Sequence, residues 1–319
     1  MTTYDTDADT TCHGAYSLLK ALNYATSLYA INDNSDEPTI NPVIKEVYEL
    51  SLYGVVDPVG LCGFILFKCS QNKDISQTEI INLFGVDIFV ASKKITENSS
   101  IPYKVNDDEG VTKKHNNIQL LLKATDFAAH KHRNQRRKNE RKSPYIEHPI
   151  HVAYTLSQCG INDINVLCGS LLHDTVEDTE TSLGEIEAKF GQKIAKIVSD
   201  VTDDKSLHKI ERKRLQIEHT QEPSHILYES KLVKLGDKFS NLSSLQSTPP
   251  KNWTSEEING YAVWCYKVCL NLRNINTMMD SLLETVFKDF GLYNIENERN
   301  GEMLNELLEQ YYECIFNSE

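Results

Sequence analysis

"DINVLCGSLLHDTVEDTE", residues 163–180, carries an apolar run into a histidine and then a cluster of acids. The run from Val166 to Leu172 is too greasy for an exposed element and spaced for a short buried helix. It leads straight into His173-Asp174, with Glu177 and Asp178 one helical turn later. On a continuing helix Glu177 lies four residues from His173 and Asp178 four from Asp174, so all four share a face. An imidazole and three carboxylates leaving a core are either a solvated helix end or a metal site with a proton acceptor beside it.

The neighbouring sequence has the same helical period. Apolar residues recur at helical spacing in 118–132 and 148–159, and helical stretches follow at 182–191, 192–203, 209–220, 226–246, 256–272 and 273–291. Ser182 with Glu185 has the spacing of a capping box, and Gly160 and Gly191 read as stops. Residues 301–316 form one amphipathic helix. Alternating strand patterns are essentially missing, so the expected class is all-α.

The stretch also has a faint double. "GVVDPVGLCG" (54–63) matches "GINDINVLCG" (160–169) at five of ten positions, and the register continues without a gap to residue 96. "EIINLFG" (79–85) lies over "EIEAKFG" (185–191). Upstream, "LLKALNYA" (18–25) matches "LLKATDFA" (121–128), and "NPV" (41–43) matches "HPI" (148–150). The expected organisation is a degenerate half-repeat over 1–96, a polar linker over 97–116, the full helical domain over 117–290 and a C-terminal helix over 291–319. The first copy keeps framework residues and loses the polar set. Asn41 stands for His148, Phe67-Lys68 for His173-Asp174, and Gln71-Asn72 for Glu177-Asp178. Packing needs only size and hydrophobicity, whereas chemistry needs particular ionisable groups. A copy that kept one and lost the other marks the polar set of the second copy as functional.

Composition narrows the classes. The chain has 319 residues, 40% of them hydrophobic and 25% charged, with a net charge of −13. That balance disfavours nucleic acid and anionic membrane as partners. No apolar stretch approaches the ~18 residues of a membrane span. The opening "MTTYDTDADTTCHG" lacks the apolar core of a signal peptide. The eight cysteines contain no CxxC pair, and those in apolar runs read as core residues. A reducing compartment, the cytoplasm, is expected.

His148, His173, Asp174 and Asp237 make a mixed nitrogen and oxygen ligand set suited to a divalent ion such as Mn²⁺, Fe²⁺ or Zn²⁺. Glu177 and Asp178 stand where a base for an attacking water belongs. Two basic stretches, "HKHRNQRRKNERK" (130–142) and "KSLHKIERKR" (205–214), stand out against the acidic background.

The ordered motifs "YIEHPI", "LLHDTVEDT", "VTDDK", "ERKR" and "KLVKLGDKFSNL" resemble the hydrolase domain of the RelA/SpoT-homologue family, above all its small single-domain animal members. The resemblance covers about 117–290 and implies an all-helical HD domain. It implies removal of the 3′-diphosphate from guanosine 3′,5′-bis(diphosphate), ppGpp, with Mn²⁺. It implies His148, His173, Asp174 and Asp237 as metal ligands and Glu177 and Asp178 as the catalytic pair. Arg133, Arg137, Lys138 and Lys209 match positions that touch phosphate. Tyr145, Asn241 and Tyr261 match positions around nucleoside and phosphate. Gly236 and Ser240 depart from the family pattern beside Asp237. No synthetase segment follows residue 290, so degradation rather than synthesis is expected. The same site also suits the 2′-phosphate of NADPH, and a catalytically silent binding or scaffold protein is the expectation of another class. Oligomeric state is open.

Overall fold

The computed structural model describes residues 6–30, 33, 35, 37–72, 75–98, 112–221, 226–292 and 298–318. Chain contacts divide it into two compact units, Met1–Arg137 with Ser143–Leu172, and Lys138–Lys142 with His173–Glu319. The described residues form α-helices and no strand; Arg136 and Pro144 make an isolated antiparallel bridge. The all-α expectation holds. Among the described residues no helix is long and apolar enough to cross a membrane.

The first unit holds α1 (Thr6–Tyr29), α2 (Asn41–Leu52), α3 (Pro58–Asn72), α4 (Gln77–Phe84), α5 (Val86–Asn98), α6 (Thr112–Lys131), α7 (Glu147–Gln158) and α8 (Ile164–Leu172). α1 packs on α3 and α7, α2 on α6, and α8 on α6 and α7. Leu18, Leu19, Leu22, Leu121, Leu122, Leu171 and Leu172 are fully buried and fill this core. Burial of such side chains stabilises by roughly 25 cal/mol per Å² of apolar surface. Of the expected linker, residues 97–98 close α5 and 112–116 open α6; residues 99–111 lie outside the described residues.

The second unit holds α9 (Thr175–Asp178), α10 (Leu183–Phe190), α11 (Gln192–Val201), α12 (Lys209–Glu218), α13 (Tyr228–Ser247), α14 (Ser255–Leu270), α15 (Thr277–Asp289) and α16 (Glu298–Ser318). α13 packs on α11, α14 and α15, and α16 packs on α14 and α12. α10 starts on Ser182, whose hydroxyl accepts from Glu185 N at 3.1 Å, satisfying one of the donors a helix start leaves open. It ends on Gly191 at φ 89°, a conformation that costs an L side chain energy.

The sequence predicts one helix through residue 174, and the structure differs. α8 stops at Leu172, and α9 is a separate turn with Asp174 at its N-cap. Short polar side chains favour such helix edges over helix interiors. Backbone bonding resumes at once, with Asp178 N donating to Asp174 O at 2.9 Å. The described cysteines are free thiols, and Cys62, Cys69, Cys159, Cys168, Cys265 and Cys269 are buried.

Candidate metal and hydrolase site

In the second unit the break after α8 places His173 between two carboxylates. His173 Nε2 lies 3.1 Å from Asp174 Oδ2 and 3.7 Å from Asp237 Oδ1. Asp237 comes from the middle of α13, which brings it in from far along the sequence. Burial works against a charged imidazole, but Asp174 and Asp237 outweigh it and hold the His173 pKa well above its ordinary value. Two carboxylates around one buried nitrogen favour positive charge at that point, which is the requirement for holding a cation.

Asp237 is itself fixed. Lys238 Nζ donates to its Oδ2 at 2.9 Å and Asn241 Nδ2 to its Oδ1 at 2.6 Å. Lys238 is buried, which disfavours its charge, yet Asp237 raises its pKa above the ordinary lysine value. Gly236 and Ser240, the two departures in this motif, are buried in α13.

Glu177 and Asp178 sit on α9. Glu177 Oε2 accepts from Asp203 N at 3.1 Å. Lys205 Nζ lies 3.2 Å from Glu177 Oε1 and 2.8 Å from Asp178 Oδ1, and Arg212 lies 3.6 Å from Glu177. Burial, then the carboxylates of Asp203 and Asp174, raise the Glu177 pKa above the ordinary carboxylate value. A carboxylate so placed takes a proton more readily than one in water. The sequence places Lys205 and Arg212 in a basic stretch suited to phosphate without pairing them to the acids, and it gives Lys238 no role. They lie inside "VTDDK", "ERKR" and "LGDKF", where a cation near several acids was the available signal.

Lys209 opens α12 behind His208, whose ring accepts from Ile210 N. Tyr261 on α14 packs among Trp253, Trp264 and Tyr311 with centroid separations of 5.5, 5.3 and 6.4 Å. Lys213 Nζ lies 4.9 Å from the Tyr261 ring, 3.5 Å from Trp264 and 5.2 Å from Tyr311. Burial pushes the Lys213 pKa down to about 7, while three ring faces favour its ammonium form.

In the first unit His148 starts α7 and is buried. Tyr145 lies between His132 and His148, with centroids 4.6 and 6.0 Å away, and Arg137 sits 5.8 Å over its ring. Arg133 Nη1 donates to His130 O at 2.8 Å. Lys138 belongs to the short segment Lys138–Lys142 assigned with the second unit. The structure thus gathers His173, Asp174, Asp237 and Asn241 in one cluster, Glu177 and Asp178 on one turn, and Arg137, Tyr145 and His148 in one loop and helix start.

A family model described as "HD domain" matches residues 124–264. The chain is 48% identical to the guanosine-3′,5′-bis(diphosphate) 3′-pyrophosphohydrolase MESH1 of Xenopus tropicalis over 174 residues, covering 54% of this chain and 96% of that protein. Identity to the Homo sapiens MESH1 is 49% over 173 residues, covering 54% and 95%. A guanosine-3′,5′-bis(diphosphate) 3′-pyrophosphohydrolase of Aquifex aeolicus is 38% identical over 132 residues, only 18% of its own length. The solved structure of a metazoan orthologue of SpoT, described as hydrolysing ppGpp and acting in starvation responses, superposes with a TM-score of 0.52 at 44% identity, covering 54% of this chain and 96% of that one. The helices, the histidine between two aspartates and the near-complete coverage of both MESH1 proteins and of the solved structure agree: the chain belongs to the MESH1 family of HD-domain hydrolases.

Proposed function

We propose that this chain hydrolyses ppGpp to GDP and diphosphate, with a divalent cation held by His148, His173, Asp174 and Asp237. The observation that carries the reading is the buried His173 between Asp174 and Asp237. His148, His173 and Asp237 could each give one donor atom to a single ion. Two imidazoles and two carboxylates suit Mn²⁺, with Fe²⁺ or Zn²⁺ as substitutes. When bound, such an ion draws charge from the phosphate ester and acidifies water.

The protein's own groups do the rest. Glu177 accepts the proton of the attacking water, and its raised pKa suits that role. Lys205 and the Asp203 N–H keep Glu177 aimed while Lys205 also holds Asp178. The bond from phosphorus to the ribose 3′ oxygen breaks, and that oxygen takes a proton. Arg133, Arg137, Lys138 and Lys209 would offset the charge of the phosphates, and Tyr145, Asn241 and Tyr261 would line the nucleoside. The catalytic segment is 117–290, preceded by a half-repeat over 1–96 that lacks the ligands and followed by the C-terminal helix α16. The free thiols support a reducing, cytoplasmic setting.

The test is an assay of purified protein with Mn²⁺ on ppGpp and on NADPH. Release of diphosphate from ppGpp, abolished by a chelator, is expected. Phosphate release from NADPH alone would replace this reading with a 2′-phosphatase. Retained metal without turnover of either would make the chain a silent binding protein.

A further inference from the structure

α1 and α6 bury the same positions of a shared pattern. Ala15, Leu18, Leu19, Ala21, Leu22, Ala25 and Thr26 are buried on α1; 103 residues on, Ile118, Leu121, Leu122, Ala124, Thr125, Ala128 and Ala129 are buried on α6. α2 (Asn41–Leu52) and α7 (Glu147–Gln158) are both 12 residues long, and both end at residues near φ −80° and ψ 12°. Ile40, Ser51, Ile146 and Ser157 occupy equivalent buried places. This register sets Pro42, not Asn41, against His148, one residue from the match of "NPV" to "HPI"; either way no ligand is present. α4 and α10 are both eight residues long, start on Ser76 and Ser182 with the same hydroxyl cap, and end on Gly85 and Gly191 at φ 87° and 89°. In the first copy Lys68 stands where Asp174 does in the second, and its ammonium pairs with Glu46 at 2.6 Å.

The packing between the copies is reciprocal. α1 lies on α7 and α2 lies on α6. Exchanging each helix for its repeat-mate, α1 for α6 and α2 for α7, returns the same two contacts. Tyr16 stacks on Tyr154 at 5.9 Å across one of them. Gln119, 103 residues after Tyr16, donates to Ser51 O at 2.6 Å across the other. An arrangement that maps onto itself under such an exchange is isologous, and the patch that makes it is self-complementary.

We propose that α1 and α2 substitute, within one chain, for a second copy of α6 and α7. The α6–α7 face is a self-pairing surface, and its partner in trans is a second copy of this chain whose own α1–α5 segment has been released. While that segment is docked the chain stays single, with one active centre per particle.

The test uses the full-length protein carrying a specific protease site between residues 99 and 111. Light scattering should give one chain, 36.3 kDa, at every concentration before cutting. After cutting, the two pieces should travel together. On dilution the C-terminal piece should appear at twice its own mass, with the amides of α6 and α7 still protected from exchange, and excess N-terminal piece should reverse the pairing. Tyr16→Ala, which removes the ring stacked on Tyr154, should let the cut pieces separate at a higher concentration than the wild-type pieces do. An uncut chain that pairs through α6 and α7 would overturn the proposal. So would a released C-terminal piece that stays single, or that forms no stable particle, since a second copy should then replace what was lost.

Discussion

Asp174 serves two groups at once. Its carboxylate lies against His173 Nε2, and its charge helps to raise the pKa of Glu177. Asp174→Ala should therefore lose bound metal and hydrolysis together, while far-UV circular dichroism stays native because Leu171 and Leu172 are fully buried upstream. Elemental analysis that found normal metal in an inactive variant would remove Asp174 from the ligands. Glu177→Gln with Asp178→Asn should do the reverse, keeping metal and lowering turnover about 100- to 10,000-fold, the usual worth of a positioned base. His151 on α7 gives a pH signature apart from catalysis. Burial, helped by the Arg137 charge, pushes its pKa down to about 4 from an ordinary 6.5. Below pH 6.5 the unfolded chain gains a proton that the fold resists. The stabilisation is thus complete above about 6.5 and is lost as pH falls toward 4, by at most roughly 3 kcal/mol. Denaturation midpoints of wild type and His151→Gln between pH 4 and 7 check this; parallel profiles would refute it.

α12 shows how an element with no buried residue is held in place. Trp264 Nε1 donates to Lys213 O at 3.0 Å, the Lys213 ammonium lies against three rings, and Arg214 pairs with Glu309 at 3.2 Å. α16 closes this arrangement by approaching α14 at Gly260, where an added Cβ would lie 2.5 Å from Tyr311 Cβ. Neither atom is at the end of a flexible chain, so Gly260→Ala should displace α16 and destabilise the protein by about 1–3 kcal/mol in chemical denaturation. An unchanged midpoint would show that α16 yields freely. Helices of this kind were legible where the apolar period ran long, as in α6, α13 and α14, and so were the Ser182 cap and the Gly191 stop. The break after Leu172 was not, because the period continues through it and only the local preference of Asp174 interrupts the helix. The proposed ligands were legible as an ordered set, His148, the His173-Asp174 doublet and the distant Asp237, each set in a motif. The side chains that aim them were not, since Lys205, Arg212 and Lys238 look like any surface cation until the fold brings acids to them. Tyr311 gave no signal because its partners lie about 50 to 100 residues away in sequence.

At the scale of the molecule, two compact units share one chain, and a single unfolding step is not required of them. The buried thiols give a way to time each. Cys62, Cys69, Cys159 and Cys168 belong to the first unit, Cys265 and Cys269 to the second. Burial pushes Cys159 up to about 11 and Cys69 and Cys265 up to about 12, so in the native state they present almost no thiolate to an alkylating reagent. Pulsed alkylation read by peptide mass spectrometry should modify the partly exposed Cys314 within the native state, and these six buried thiols only when their own unit opens. Two families of labelling rates, one per unit, would yield two opening free energies from one sample; six coincident rates would mean that the chain opens as a whole. The cysteines that fill the core thereby act as built-in clocks, each stopped until the structure around it comes apart.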